Sequence, residues 1–218
     1  MTLDWAWLDR GTGHLARLVG EHALLAVVPV LVALVVALPL GHLLSRAGRA
    51  AAPVLAVLGV VHTIPALGLF VTIPLVLPPH QILDPLNVAV ALTVYAVALL
   101  VGSVVDGLRS VPDSVRRSAS ALGFGRFRRL VRVELPLAMP AVFAGLRVAT
   151  VRNIALVSVA ALVGSGALGE LFQQAASTRV LTPLVAGLVL SVALALLADA
   201  VILLVQRGSL PWARGRRA

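Results

Sequence analysis

The sequence predicts an all-α integral membrane protein of five spans with one basic cytoplasmic loop. Three observations carry that prediction. Of the 218 residues, 60% are hydrophobic and only 12% are charged, with a mean hydropathy of +1.02, a balance no soluble domain needs. Apolar stretches recur along the whole chain, each near the ~20 residues a helix needs to cross a hydrocarbon core. All 18 basic residues are arginine, and most of them fall between those stretches.

The first span is expected at about 22–45, apolar except for His22 and His42. Pro29 and Pro39 lie inside it, which lipid tolerates only if neighbouring groups satisfy the freed carbonyls. Before it, Trp5, Trp7 and Leu8 beside Asp4 and Asp9 suit an interfacial segment, with the tryptophans at headgroup level. The acidic residues there, with Glu21, leave no basic n-region of a signal peptide. Arg46 and Arg49 follow the span in a short turn.

From Ala50 to Leu83 no Asp, Glu, Lys or Arg occurs. That is too long for one straight span, and Pro53, Pro65 and Pro74 punctuate it. A broken or kinked span is expected at about 51–77, then an outer loop from Pro78 to Pro85. The third span follows at about 86–105, the fourth at about 141–164 and the fifth at about 183–205. Leu135–Ala144 is expected along the membrane interface, and Glu170–Thr182 as a second outer loop. The whole chain, 1–218, is expected to form a single transmembrane domain.

The loop at 106–137 is the longest polar interval. From Arg109 on it carries Arg109, Arg116, Arg117, Arg126, Arg128, Arg129 and Arg132 against Asp113 and Glu134. A helix is expected from Asp113 to Leu122, opened by Pro112, whose missing N–H costs nothing in a first turn. Gly123-Phe124-Gly125 breaks it, because glycine accepts the backbone angles of a sharp turn. A second short helix, Phe127–Val133, is expected to stop at Leu135-Pro136. The product is a compact elbow facing water.

Within that elbow, Ser118-Ala119-Ser120-Ala121-Leu122-Gly123 is followed after nine residues by Val133-Glu134-Leu135-Pro136. This resembles the EAA loop of ABC importer permeases, E-A-A-x-x-x-G, nine residues, I-x-L-P. The glycine, the Leu-Pro and the spacing match. Arg117 stands where the family usually has glutamate, and Ser118 replaces the first alanine. The resemblance implies the type I permease core, with the elbow seated in a groove of a cytoplasmic ATPase. It implies coupling roles for Arg117, Ser118, Ala119, Leu122, Gly123, Phe124, Leu135 and Pro136. It also implies a bacterial inner membrane, a second permease chain, identical or related, and an extracytoplasmic substrate-binding protein. Ala37-Leu38-Pro39-Leu40-Gly41, His62-Thr63-Ile64-Pro65-Ala66-Leu67, Gly164-Ser165-Gly166-Ala167-Leu168-Gly169 and Leu196-Leu197-Ala198-Asp199 look like the osmoprotectant branch. That branch imports glycine betaine, choline, carnitine and related amines.

Orientation follows from the arginines alone. With five spans, one side receives Arg46, Arg49, the elbow and a tail with Arg207, Arg214, Arg216 and Arg217; the other receives Arg10, Arg17 and Arg179. The positive-inside rule places the elbow and C-terminus in the cytoplasm and the N-terminus outside. The same distribution explains the net charge of +9 and pI near 11.8 without nucleic acid; the bilayer is the expected partner. There is no cysteine, hence no thiol chemistry. No G-x-x-x-x-G-K-[ST] phosphate loop occurs. The chain is therefore expected to hold no cofactor and not to be an enzyme, with ATP and Mg on the partner ATPase. His14, His22, His42, His62 and His80 lack metal-ligand spacing, and no metal is expected.

Ionisable residues at membrane depth are costly and normally face a partner in the bundle interior. Arg147 and Arg152 interrupt the fourth span and Asp199 the fifth. Starting span four near Gly145, a rise of ~1.5 Å per residue levels Arg152 with Asp199, so an Arg152–Asp199 ion pair is expected. Arg147 is left to snorkel or to meet Asp106. His62, Thr63 and Pro65, with Tyr95, read either as a packing kink or as a break lining a translocation path. Gly102-Ser103, Gly145 and Gly187 suit close helix contacts. Glu170 suits a contact with the binding protein. Phe70, Tyr95 and Phe143 are too scattered to specify an aromatic cage for a quaternary ammonium, which leaves substrate choice to the separate binding protein. A permease for another small, amino acid-like solute and a non-transporting membrane anchor are the rival functions.

Overall fold

The computed structural model describes residues 12–76 and 84–212. Trp5, Trp7, Arg10, most of the Pro78–Pro85 loop and the last arginines lie outside the described residues. Helices take up nearly all of what is described. In chain order they are α1 (Thr12–Arg46), a 3₁₀ turn (Gly48–Ala50), α2 (Ala51–Val61), α3 (Ala66–Val76), α4 (Pro85–Arg109), α5 (Asp113–Ala121), α6 (Arg126–Arg129), a π turn (Leu130–Glu134), α7 (Leu135–Ala160), a 3₁₀ turn (Ala161–Val163), α8 (Gly169–Thr178) and α9 (Leu181–Ser209). Among the described residues four runs are long and apolar enough to cross a bilayer, and the pair flanking His62, bent by 105°, makes a fifth if the two helices count as one span.

The centre is built from α1, α4 and α7, which pack on one another; α9 lies against α7 and α8. Small residues make this possible. A Cβ added to Gly41 of α1 would sit 2.6 Å from the Val104 side chain of α4. One on Gly107 would meet the Ala138 carbonyl at 2.8 Å, and one on Gly145 would run into Ser103 Oγ. Between helices in lipid there is no hydrophobic drive, so close backbone approach supplies the attraction. Gly187 meets Leu171 and Phe172 in the same way, whereas Gly102 faces open space. The expected Gly102 contact is corrected accordingly: its neighbour Ser103 makes the contact.

Two buried polar bridges join α1 to α7. His22 Nε2 lies 2.9 Å from the Ile154 carbonyl, and Asn153 Nδ2 donates to the Ala26 carbonyl at 3.3 Å. Each side chain reaches the other helix's backbone, the kind of link that holds polar groups inside a membrane bundle.

Several boundaries differ from expectation. Residues 135–144 form the first turns of α7, with no separate interfacial stretch. The helix does not stop at Leu135-Pro136. It runs on, because the π turn lets Leu135 N–H reach back to the Leu130 carbonyl. That wider turn absorbs the donor missing at Pro136 and loosens the crowding against Arg132. Most of the expected outer loop after Glu170 is the amphipathic helix α8.

Candidate functional site

The elbow is built from local signals. Pro112 holds extended angles just ahead of α5. At the far end Gly123 adopts φ +80°. Phe124 N–H returns to the Ala119 carbonyl at 3.1 Å and Gly123 N–H to the Ser120 carbonyl at 3.0 Å. This is a Schellman stop, which requires the left-handed residue that glycine supplies. The chain then re-enters helix at Arg126, continuous through the π turn with α7.

Ser118, Ala119, Leu122 and Phe124 come together around one shallow apolar hollow, completed by Ser114, Val115 and Val133. Leu122 is 78% exposed and Phe127 79% exposed. Leu122 stands at the glycine stop and Phe127 in the short helix after it, two large apolar side chains left exposed on the elbow. The Arg128 guanidinium lies 5.1 Å over the Phe124 ring and holds it in place. Arg117 is exposed and lines a second hollow with Asp113, Arg116, Ser120 and Arg129. Leu135 and Pro136 are half-buried at the foot of α7, outside both hollows.

Sequence reasoning missed the residue that fastens the elbow. Glu134, whose side chain is 5% exposed, accepts from Arg129 Nε at 2.7 Å. Arg46 Nη2 approaches it to 3.7 Å and Arg116 Nε to 4.0 Å. Arg129 Nη1 also donates to Ser120 Oγ at 2.6 Å, and Arg116 Nη2 to the Leu108 carbonyl. One carboxylate thus ties the end of α1, the elbow helix α5 and the foot of α7. The signal was present: from Arg109 to Pro136, Glu134 is one of two acids among seven arginines.

Within the spans, Asp199 pairs with Arg147, and the expected Arg152–Asp199 pair is corrected. Arg147 Nε and Nη2 donate to the two Asp199 oxygens at 2.6 and 2.8 Å. The error was the start of span four. Counted from Leu135, Arg147 lies roughly 18 Å up α7 and Arg152 roughly 25 Å, against roughly 15 Å from Ser209 to Asp199.

Arg152 instead joins the bend between α2 and α3. Its Nη1 lies 3.0 Å from His62 Nδ1, and its guanidinium lies 5.6 Å from the centroid of the Tyr95 ring. The His62 and Tyr95 rings stack with centroids 6.3 Å apart. Tyr95, 2% exposed, donates its hydroxyl to the Ile64 carbonyl at 2.5 Å. Thr63 turns its hydroxyl back to the Val60 carbonyl at 2.7 Å. Pro65 removes the N–H that would carry the helix through. His62 and Tyr95 therefore meet, with Arg152 as a third member not foreseen, while Thr63 and Pro65 shape the bend. Among the described residues, no three of His, Cys, Asp or Glu gather as a metal site.

The model of the family described as "Binding-protein-dependent transport system inner membrane component" matches residues 23–209. The chain belongs to this family. It is the permease subunit of an ABC importer and a multi-pass inner-membrane protein. It is 33% identical to the osmoprotectant import permease protein OsmW of Salmonella typhimurium, over 86% of this chain and 87% of that one. It is 32% identical to the glycine betaine/carnitine/choline permease protein OpuCD of Bacillus subtilis, over 94% and 88%. A solved structure of the MetNI methionine ABC transporter, inward facing, superposes with a TM-score of 0.81 at 22% identity, over 92% of this chain and 98% of that one. That likeness supports the type I permease fold.

Proposed function

We propose that this permease imports osmoprotectants of the betaine, choline and carnitine class, driven by a cytoplasmic ATPase seated on the elbow. The elbow's geometry carries the coupling half: an apolar hollow and two exposed apolar side chains on a glycine-stopped turn. The relatives' substrates carry the cargo half. The elbow and C-terminus face the cytoplasm and the N-terminus faces outward, from the arginine distribution.

In this mechanism the chain hydrolyses nothing. ATP and Mg sit on the partner ATPase, and a separate binding protein delivers solute from outside. Closure of two ATPases moves two elbows, one on each permease chain of a homo- or heterodimer. Movement at Leu122 and Phe127 passes into α7 directly, because α6, the π turn and α7 form one helical run. Glu134 carries the same displacement to the end of α1 through Arg46. Arg117, Ser118, Ala119, Gly123, Leu135 and Pro136 shape or flank the docking surface. The bend at His62, Thr63 and Pro65, with Tyr95, borders the translocation path.

The test is reconstitution of the permease with its ATPase and binding protein in proteoliposomes. ATP-dependent uptake of glycine betaine or choline is expected, with ATPase activity stimulated by the loaded binding protein. Uptake of amino acids alone would favour the rival cargo.

A further inference from the structure

The two intramembrane arginines of α7 are not equivalent. Arg147 is neutralised by both oxygens of Asp199. Arg152 has no carboxylate within ion-pair distance among the described residues. One Arg152 N–H is spent on His62 Nδ1, which fixes that nitrogen as the acceptor and places the imidazole proton on Nε2. A guanidinium has five N–H donors in a planar fork matched to a carboxylate. A cation kept at membrane depth without a counter-charge belongs on a water-lined path.

The aromatic surface beside it is already taken. A quaternary ammonium needs an open ring face, and at Tyr95 the guanidinium fills that position at 5.6 Å. The ring is also fixed through its hydroxyl to the Ile64 carbonyl. The bend of span two therefore presents a held positive charge in place of an ammonium cage. An anionic group is attracted there and a bare cation is repelled.

We propose that Arg152, positioned by His62 and Tyr95, is a carboxylate-recognition point in the translocation path. It makes the permease favour zwitterionic solutes that carry a carboxylate, such as glycine betaine, over cations without one, such as choline. This rests on the importer reading above and narrows its substrate class.

The test uses the full complex in proteoliposomes, comparing uptake of labelled glycine betaine and labelled choline below saturation. In Arg152→Gln, betaine uptake is expected to fall about tenfold or more, the loss of one charge-assisted carboxylate contact. Choline uptake is expected to hold or rise, so the betaine-to-choline ratio falls at least about tenfold. Arg152→Lys keeps the charge and loses the fork, and gives an intermediate ratio; it carries the test if the glutamine variant does not assemble. Equal loss of both solutes, or an unchanged ratio in either assembled variant, overturns the proposal. Should the wild type move neither solute, the osmoprotectant reading fails by itself. Arg152 is then judged on the carboxylate solute that does drive uptake, against its amide, and a ratio unmoved by Arg152→Gln overturns the proposal there too.

Discussion

Replacing Glu134 by glutamine should loosen the elbow without unfolding the bundle. The side chain keeps its shape and loses its charge. A unit-charge pair at about 4 Å is worth ~4 kcal/mol at an effective dielectric of 20. The three arginines are partly open to water, with Arg129, Arg116 and Arg46 at 20, 30 and 40% exposure, so screening removes a good part of that. A remainder of about 2 kcal/mol corresponds to a ~30-fold rise in the open population of the elbow. Trypsin reads this directly, because cleavage at Arg116 and Arg129 follows the open population when reclosing is fast. In the purified permease, Glu134→Gln should therefore raise cleavage at those arginines ~30-fold, while the helix content of the spans is unchanged. A rate within about threefold of wild type, equivalent to ~0.7 kcal/mol or less, would refute the assignment of Glu134 as the fastening of the elbow.

Other substitutions probe other links. Gly123→Ala meets no atom, since nothing lies within 4 Å of a Cβ there, so its cost is the left-handed backbone alone, about 1 kcal/mol. It should lower transport per ATP hydrolysed while membrane insertion and yield stay normal. Arg147→Asp and Asp199→Arg should each lower the yield of assembled complex, and the double exchange should restore part of it; no rescue would count against the bidentate pair. Gly145→Val drives a side chain into Ser103 and should sharply reduce folded protein in detergent, whereas Gly102→Ala, facing open space, should not.

The class of fold was legible because lipid imposes so few solutions: apolar runs of span length must be helical, and arginines must cluster on one side. The elbow was legible for a different reason. Gly123 and Pro112 are local punctuation, and their effect does not depend on what packs nearby. What resisted reading was everything set by helix register. Asp199 was matched with Arg152 because span four was started near Gly145; the π turn that lets the helix run on from the elbow leaves no mark in composition. His22 and Asn153 sit in largely apolar helices, and nothing local says that each reaches the other's helix. Glu134 was visible as an acid among arginines, but its fastening role depends on Arg46, far away in sequence.

The central claim is that the elbow docks on the ATPase through Leu122 and Phe127. The chain contains no cysteine, so Leu122→Cys and Phe127→Cys are clean single-site probes. Cross-linking of the reconstituted complex should join each of these to single cysteines in the ATPase groove, with yields that change between ATP-bound and nucleotide-free states. Absence of any cross-link from positions 122 and 127 to the ATPase groove, in a complex that still hydrolyses ATP, would contradict it.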